Sequence, residues 1–187
     1  MAYVAVLDAN VLYGQLVRDL LLRLAERRLF RPVWSRRILD EVFESIASNR
    51  PDLDPSRLAR TRRRMEEAFE EAMIGGVDAF LAVVPREVEP GDRHVVATAL
   101  AAKADCIVTD NDRHFAPDAL WPLGIEVQRL DTFLVNQWAL DPELVLGALN
   151  EMVEDYTRPK AEIDVLLDWL EERAPAFVAE IRRALNP

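Results

Sequence analysis

Four short segments of this chain carry acids whose placement could do chemistry. Asp8 follows the apolar run Tyr3 to Leu7. Glu41 lies among Leu39, Val42 and Phe43 on a helical pattern. Asp92 follows the turn Pro90-Gly91. Asp110-Asn111-Asp112 follows Cys106 to Thr109. In an open α/β sheet, ligands bind beyond the carboxyl ends of the strands. Asp8, Glu41, Asp92 and Asp110 are therefore expected to face one edge. Carboxylates gathered in this way repel one another and lose hydration unless a cation sits among them. The chain has one cysteine, Cys106, and two histidines, His94 and His114, so a thiolate or multi-histidine site is excluded. The expected ion is a hard, oxygen-loving one, Mg2+ or Mn2+. Such an ion suits phosphoryl transfer, orienting a water for in-line attack and neutralising charge on phosphate oxygens.

Each acid also has a plainer reading. Asp8 and Asp92 are good helix caps, Asp110 and Asp112 are common turn formers, and Glu41 could face solvent. The conjunction of all of them favours chemistry.

The elements that position these acids can be read from spacing. Tyr3 to Leu7 is β-branched and apolar, as a buried parallel strand is. Asn10 then offers a cap for a helix over Val11 to Leu29, with Leu12, Leu16, Leu20 and Leu24 on one face. Arg31 to Trp34 is a brief extended piece. Ser35 caps a helix carrying Ile38, Leu39, Val42, Phe43 and Ile46. After a turn-rich loop, Asn49 to Pro55, Ser56 caps a long polar helix to about Met73, ended by Gly75-Gly76. Ala79 to Val84 reads as a second buried strand. A helix over Arg93 to Ala104 is rich in alanine and valine, hence buried on more than one side. Cys106 to Thr109 is a further strand, Ala116 to Trp121 a helical turn, and Gly124 to Val127 a last strand. Strand and helix alternate, which predicts an α/β fold with a mainly parallel sheet flanked by helices. From Asp131 the pattern is helical only: roughly 131–139, 142–156 and 160–185, broken at Pro142, Pro159 and Pro175. Residues 1–135 are read as one domain and 136–187 as a helical C-terminal extension.

Charge is unevenly spread. The net is −10 over 187 residues. Residues 1–64 hold 13 basic and 8 acidic side chains, whereas the segment from Asp131 holds 12 acidic and 5 basic. Arg57, Arg60 and Arg64 stand on the first half of one polar helix and are candidates for contact with the phosphates of a polyanion. The alternative is that they pair with Glu66, Glu67, Glu70 and Glu71 at helical spacing. No apolar stretch reaches the roughly 18 residues of a membrane span. The start lacks the basic and apolar regions of a signal peptide, so a cytoplasmic location is expected.

The segments VLDANVL (Val6 to Leu12), ILDEVFESI (Ile38 to Ile46), DRHVVATALAAKADCIVTDNDRHF (Asp92 to Phe115) and GIEV (Gly124 to Val127) together resemble a PIN domain. The resemblance is strongest to the VapC-like toxins of bacterial toxin–antitoxin pairs and covers about residues 3–135. It implies a Rossmann-like sheet and a metal-dependent ribonuclease acting on single-stranded RNA. It further implies an acidic pocket from Asp8, Glu41 and Asp92, with Asn10 supporting the first aspartate. The family's fourth site position, two residues after the strand-ending threonine Thr109, is aspartate or asparagine. Here it is Asn111, flanked by Asp110 and Asp112. Of these neighbours Asp110 is expected to contribute more, to the ion directly or through a water. A cognate antitoxin is an implied partner, and a homodimer is compatible with the family.

Other chemistries are less well served. A haloacid-dehalogenase-like phosphohydrolase wants a second carboxylate two residues after the first, where Asn10 stands, and no matching lysine is evident. A dinucleotide-binding enzyme needs a glycine-rich turn after the first strand, which DANVLYG does not supply. A PIN-like scaffold that binds RNA or protein without cutting is the remaining alternative, and the presence of all three principal acids argues against it.

Overall fold

A computed structural model describes residues 3–156 and 162–186. Five strands form one parallel sheet: β1 (Val4–Leu7), β2 (Arg31–Ser35), β3 (Met73–Ile74), β4 (Cys106–Val108) and β5 (Glu126–Gln128), in the order β3-β2-β1-β4-β5. β1 is central, with Val6 opposite Val33 on one side and Ile107 on the other. Strands this short and apolar are stable only when covered on both faces, and Ala5, Val6, Leu7, Val33, Trp34 and Ile107 are fully buried. The sheet order reverses direction about β1, so the carboxyl ends of β1 and β4 flank the usual ligand crevice of such folds.

The helices are α1 (Ala9–Tyr13), α2 (Gln15–Glu26), α3 (Arg36–Asn49), α4 (Pro55–Ala68), α5 (Arg93–Ala102), α6 (Pro117–Leu120), α7 (Leu130–Leu140), α8 (Pro142–Asp155), α9 (Ile163–Glu171) and α10 (Pro175–Leu185). The α/β architecture with a helical C-terminal region is as the sequence predicts. Several local expectations are corrected. The helix expected over Val11 to Leu29 is two helices, broken at the extended Gly14. Asp8, not Asn10, is the N-cap of the first, its carboxylate accepting from the Ala9 amide. The polar helix is capped by Asp54 with Pro55 at its first position, and it ends at Phe69, well before the glycine pair.

The strand expected at Ala79 to Val84 is instead a 3-10 segment, Val77–Val83, with no buried residue. Its apolar run misled because periodicity alone cannot separate a short strand from a short helical segment. The role of that strand falls to Met73–Ile74, whose partners on β2 are Trp34 and Ser35. The 3-10 segment is held from α5: the Arg93 guanidinium donates to the carbonyls of Leu81, Val84 and Pro85.

The C-terminal helices are packed onto the α/β unit. Phe133 of α7 meets Phe30 edge to face at 4.9 Å, a pairing worth about 1 kcal/mol beyond area burial. Arg23 of α2 and Arg27 just past its end reach Glu151 and Asp155 of α8. Asp131 caps α10 by accepting from the amides of Ala176 and Phe177. Helix α7 runs unbroken through residue 135, so the two sequence segments share it. The break expected at Pro159 lies outside the described residues.

Candidate active site

Beyond the carboxyl edge of the sheet lies an open cavity of about 480 Å³, lined by Asp8, Asn10, Glu41, Asp92 and Asn111 together with Ala9, Tyr13, Ser45 and Asn49. Each polar group arrives there for a local reason. Asp8 is the first residue past β1, and its amide still donates to the carbonyl of Val108 on β4, at 3.1 Å. Glu41, Ser45 and Asn49 recur at i, i+4, i+8, one face of α3. Asp92 precedes α5, and its side chain makes no capping bond there. Instead its Oδ2 lies 2.9 Å from Nδ1 of His114.

Asp8 is 3% exposed. Its Oδ1 accepts from the Ala9 amide at 2.7 Å, and its Oδ2 accepts from the Thr109 hydroxyl at 2.8 Å and from the Asn10 side-chain amide. Asn10 Nδ2 also donates to Thr109 Oγ1, while Asn10 Oδ1 accepts from the Asp110 main-chain amide at 3.0 Å. Thr109 Oγ1 accepts in turn from the amide of Asn111. Burial pushes the Asp8 acid up to about 6. The bonds from Thr109 and Ala9 pull it back, Asp92 adds to the rise, and His94 opposes it. Those bonds offset only part of the hydration that the buried carboxylate loses.

Glu41 is in the opposite condition. Burial alone would raise its acid, but the imidazole of His94 and the guanidinium of Arg37 outweigh burial and hold it below the usual range. His94 Nε2 lies 3.0 Å from Glu41 Oε1, out of line for a hydrogen bond. The His94 ring is almost completely buried, and neither nitrogen has a hydrogen-bond partner. His94 and His114 are site neighbours that the sequence reading passed over. A histidine in a helix otherwise made of Val95, Val96 and Ala97 was the available signal, because a buried imidazole needs a polar neighbour. No comparable signal marks His114.

The fourth acid differs from expectation. Asp110 does not line the cavity. Its Oδ2 accepts from Arg173 Nη2 at 2.6 Å, and its Oδ1 accepts from the Leu130 amide at 3.3 Å. Asn111 faces the cavity in its place. Two residues beyond Asp110, Asp112 points toward Arg129, 3.7 Å away. Among the described residues, no three Asp, Glu, His or Cys side chains converge tightly enough to hold one ion. The cause lies in the partners: Glu41 is drawn to His94 and Arg37, Asp92 to His114, and Asp110 to Arg173. The expected four-acid set is thus not gathered at one point.

Arg57, Arg60 and Arg64 are exposed on α4. The expected alternative, pairing with the helix's own glutamates, occurs at Arg62, which bridges Glu66 and Asp40. Among the described residues, none of Arg57, Arg60 and Arg64 has a carboxylate within ion-pair distance. A second cleft, about 520 Å³, lies between α2, β2 and the end of α4 against Phe30 and Phe69. It brings together none of the candidate acids.

Fold and cavity together define the class, and comparison with known proteins agrees: the chain belongs to the PIN domain family, which matches residues 4–113. The VapC50 C-terminal domain family matches residues 130–183. The chain is also 41% identical over 92 residues to a Mycobacterium tuberculosis protein named "Putative ribonuclease VapC50". That match takes in 49% of this chain and 54% of the relative, so it spans about half of each. No solved structure matches.

Proposed function

We propose that this chain is a metal-dependent endoribonuclease that hydrolyses single-stranded RNA, the toxin of a toxin–antitoxin pair. The observation that carries the reading is the cavity at the sheet edge, where the buried Asp8 carboxylate, with no ion-pair partner among the described residues, meets Asp92, Glu41 and Asn111. Membership of the PIN family and the likeness to a relative named as a ribonuclease support it.

The donors facing the cavity are all oxygens, which suits Mg2+ or Mn2+. Magnesium is commonly held by one or two carboxylates and keeps several waters, so the lack of a three-ligand cluster does not count against it. Asp8 and Asp92 are the residues that would hold the ion. The ion would supply positive charge to the phosphate oxygens and make its water more acidic. Asn10 and Thr109 fix the Asp8 carboxylate. Glu41, kept ionised by His94 and Arg37, is placed to accept a proton from an attacking water. The Asn111 side-chain amide is placed to donate to a phosphate oxygen. Attack in line breaks the P–O3′ bond, leaving a 3′-hydroxyl and a 5′-phosphate. Asp110 and Asp112 act outside this set, the first as an anchor and the second at its rim. Arg57, Arg60 and Arg64 guide the RNA backbone as solvated positive charges.

The purified protein should cut RNA with Mg2+ or Mn2+, yield 5′-phosphate ends and stop when a chelator is added. Cleavage undiminished by the chelator would remove the metal from the mechanism. Changing Arg57, Arg60 and Arg64 together to Gln should raise KM about tenfold and flatten its salt dependence, with kcat held. Expression without an inhibitory partner protein should slow growth, and Asp92→Asn should relieve it. A cytoplasmic location and a homodimer fit this reading. Among the described residues, no helix is long and apolar enough to cross a membrane.

A further inference from the structure

The turn between α9 and α10 places one guanidinium at the edge of the site. Arg173 Nη2 donates to Asp110 Oδ2 at 2.6 Å and to the Asn10 carbonyl at 3.4 Å. Its other terminal nitrogen lies against Gly14, 3.9 Å from where a Cβ would stand. The side chain is one-third exposed and that of Asp110 less than a quarter, so this pair is better shielded than a surface ion pair. The turn itself is fixed. Ala174 and Phe177 are fully buried, and Asp131 ties the start of α10 to α7.

Asp110 thereby joins three parts of the chain. Its carboxylate holds Arg173 and the Leu130 amide, and its own amide donates to Asn10 Oδ1. Asn10 then has its carbonyl and its side-chain oxygen both fixed, which leaves Nδ2 one orientation. That orientation gives its protons to Asp8 Oδ2 and Thr109 Oγ1.

We propose that Arg173, carried by the C-terminal helical region, is a positioning residue for the site: by holding Asp110 and the Asn10 carbonyl it fixes the Asn10 amide that orients Asp8. Its effect on cleavage rests on the ribonuclease reading above, whereas its effect on the Asn10 amide does not. In this arrangement Asp110 anchors the site without holding the ion, and Arg173 makes no contact with the reacting phosphate.

The test uses the full chain with Arg173→Met, Arg173→Lys, Asp110→Asn and the Met/Asn double variant. In proton–nitrogen correlation spectra, Arg173→Met should shift the Asn10 side-chain amide signals and speed their exchange with water. Titration with Mn2+ alone should show binding about tenfold weaker, the scale seen when a group behind a ligand is removed. Cleavage should lose about tenfold in kcat with KM unchanged. The double variant should be no worse than either single change, because both break one linkage. Arg173→Lys, which keeps a single donor to Asp110, should fall between wild type and Arg173→Met, and it carries the test if the Met variant does not fold. A rise in KM at constant kcat would make Arg173 a phosphate contact and overturn the proposal. So would unchanged Asn10 signals in a folded Met variant, or losses that add in the double variant. If the wild type itself leaves RNA intact, the ribonuclease reading fails, and the Asn10 signals still decide the positioning role.

Discussion

Asp8 and Asp110 each stand just beyond the end of a central parallel strand, yet the fold treats them in opposite ways. Asp8 is buried among neutral donors, Asn10, Thr109 and the Ala9 amide, and its acid is pushed up to about 6. Asp110 has an arginine delivered to it from 63 residues away. A carboxylate left without a cation at a cavity wall reserves a place for one from solution. A carboxylate supplied with a cation serves as a joint. The difference separates site from scaffold more sharply than the residue types do, since all are aspartates.

The largest expected effect tests the reserved place. Asp8→Asn and Asp92→Asn should each lower single-turnover RNA cleavage by about a thousandfold, roughly 4 kcal/mol, without loss of melting temperature in metal-free protein. A large fall in melting temperature in both variants would make the two carboxylates structural instead, Asp8 through its cap on α1 and Asp92 through His114.

Next in size is the pH dependence of stability. The Asp8 acid lies near 6 in the folded chain and near 4 in an unfolded one. Between those values the folded state holds its proton more tightly, so stability falls as pH rises through the window. Two units correspond to about 3 kcal/mol as an upper bound. Metal-free wild type should therefore lose melting temperature from pH 4 to 6, Mg2+ should restore it above 6, and Asp8→Asn should show neither effect. A wild-type profile matching that of the variant would mean that burial does not raise the Asp8 acid.

Asp110→Asn should move stability the other way from Asp8→Asn, costing about 1 kcal/mol in chemical denaturation because Arg173 loses its charged partner. If it abolishes cleavage and leaves stability alone, Asp110 is a ligand and the contrast collapses. The smallest effect belongs to Asp112→Asn, whose contact with Arg129 is long and exposed. It should change stability by less than about 0.5 kcal/mol and cleavage by less than about twofold.

Much of this was open to a reader of the sequence alone. The strands at β1 and β4 and the cap at Ser35 are local patterns, and the acids that follow the strands come with them. Asp8 and Asp92 reach the cavity because each lies at an element boundary that the pattern marks, and Glu41 because it lies on one face of α3 with Ser45 and Asn49. The turn Asp110-Asn111 is less legible: Asn111 lines the cavity, whereas Asp110 turns to Arg173. Which of two adjacent turn residues faces a cavity depends on a partner, and that partner is Arg173, in a helical segment whose pattern predicts only packing. His94 was legible in principle, as a lone imidazole on an apolar helix. The pairing of Met73–Ile74 with β2 was not, since two residues give no periodicity.

The bonds around Asp8 carry a further consequence for synthesis. Asp8 and Asn10 are synthesised first, Thr109 about a hundred residues later, and Arg173 later still. Parallel pairing of β1 with β4 closes a long loop, a slow step compared with forming any of the helices. A nascent chain carrying β1 through α4 therefore has the first two acids, but neither the Thr109 hydroxyl that binds Asp8 nor the Asp110–Arg173 pair that fixes Asn10. For an enzyme whose proposed substrate class includes the very message being read, the site is assembled only after Thr109 and Arg173 have been made.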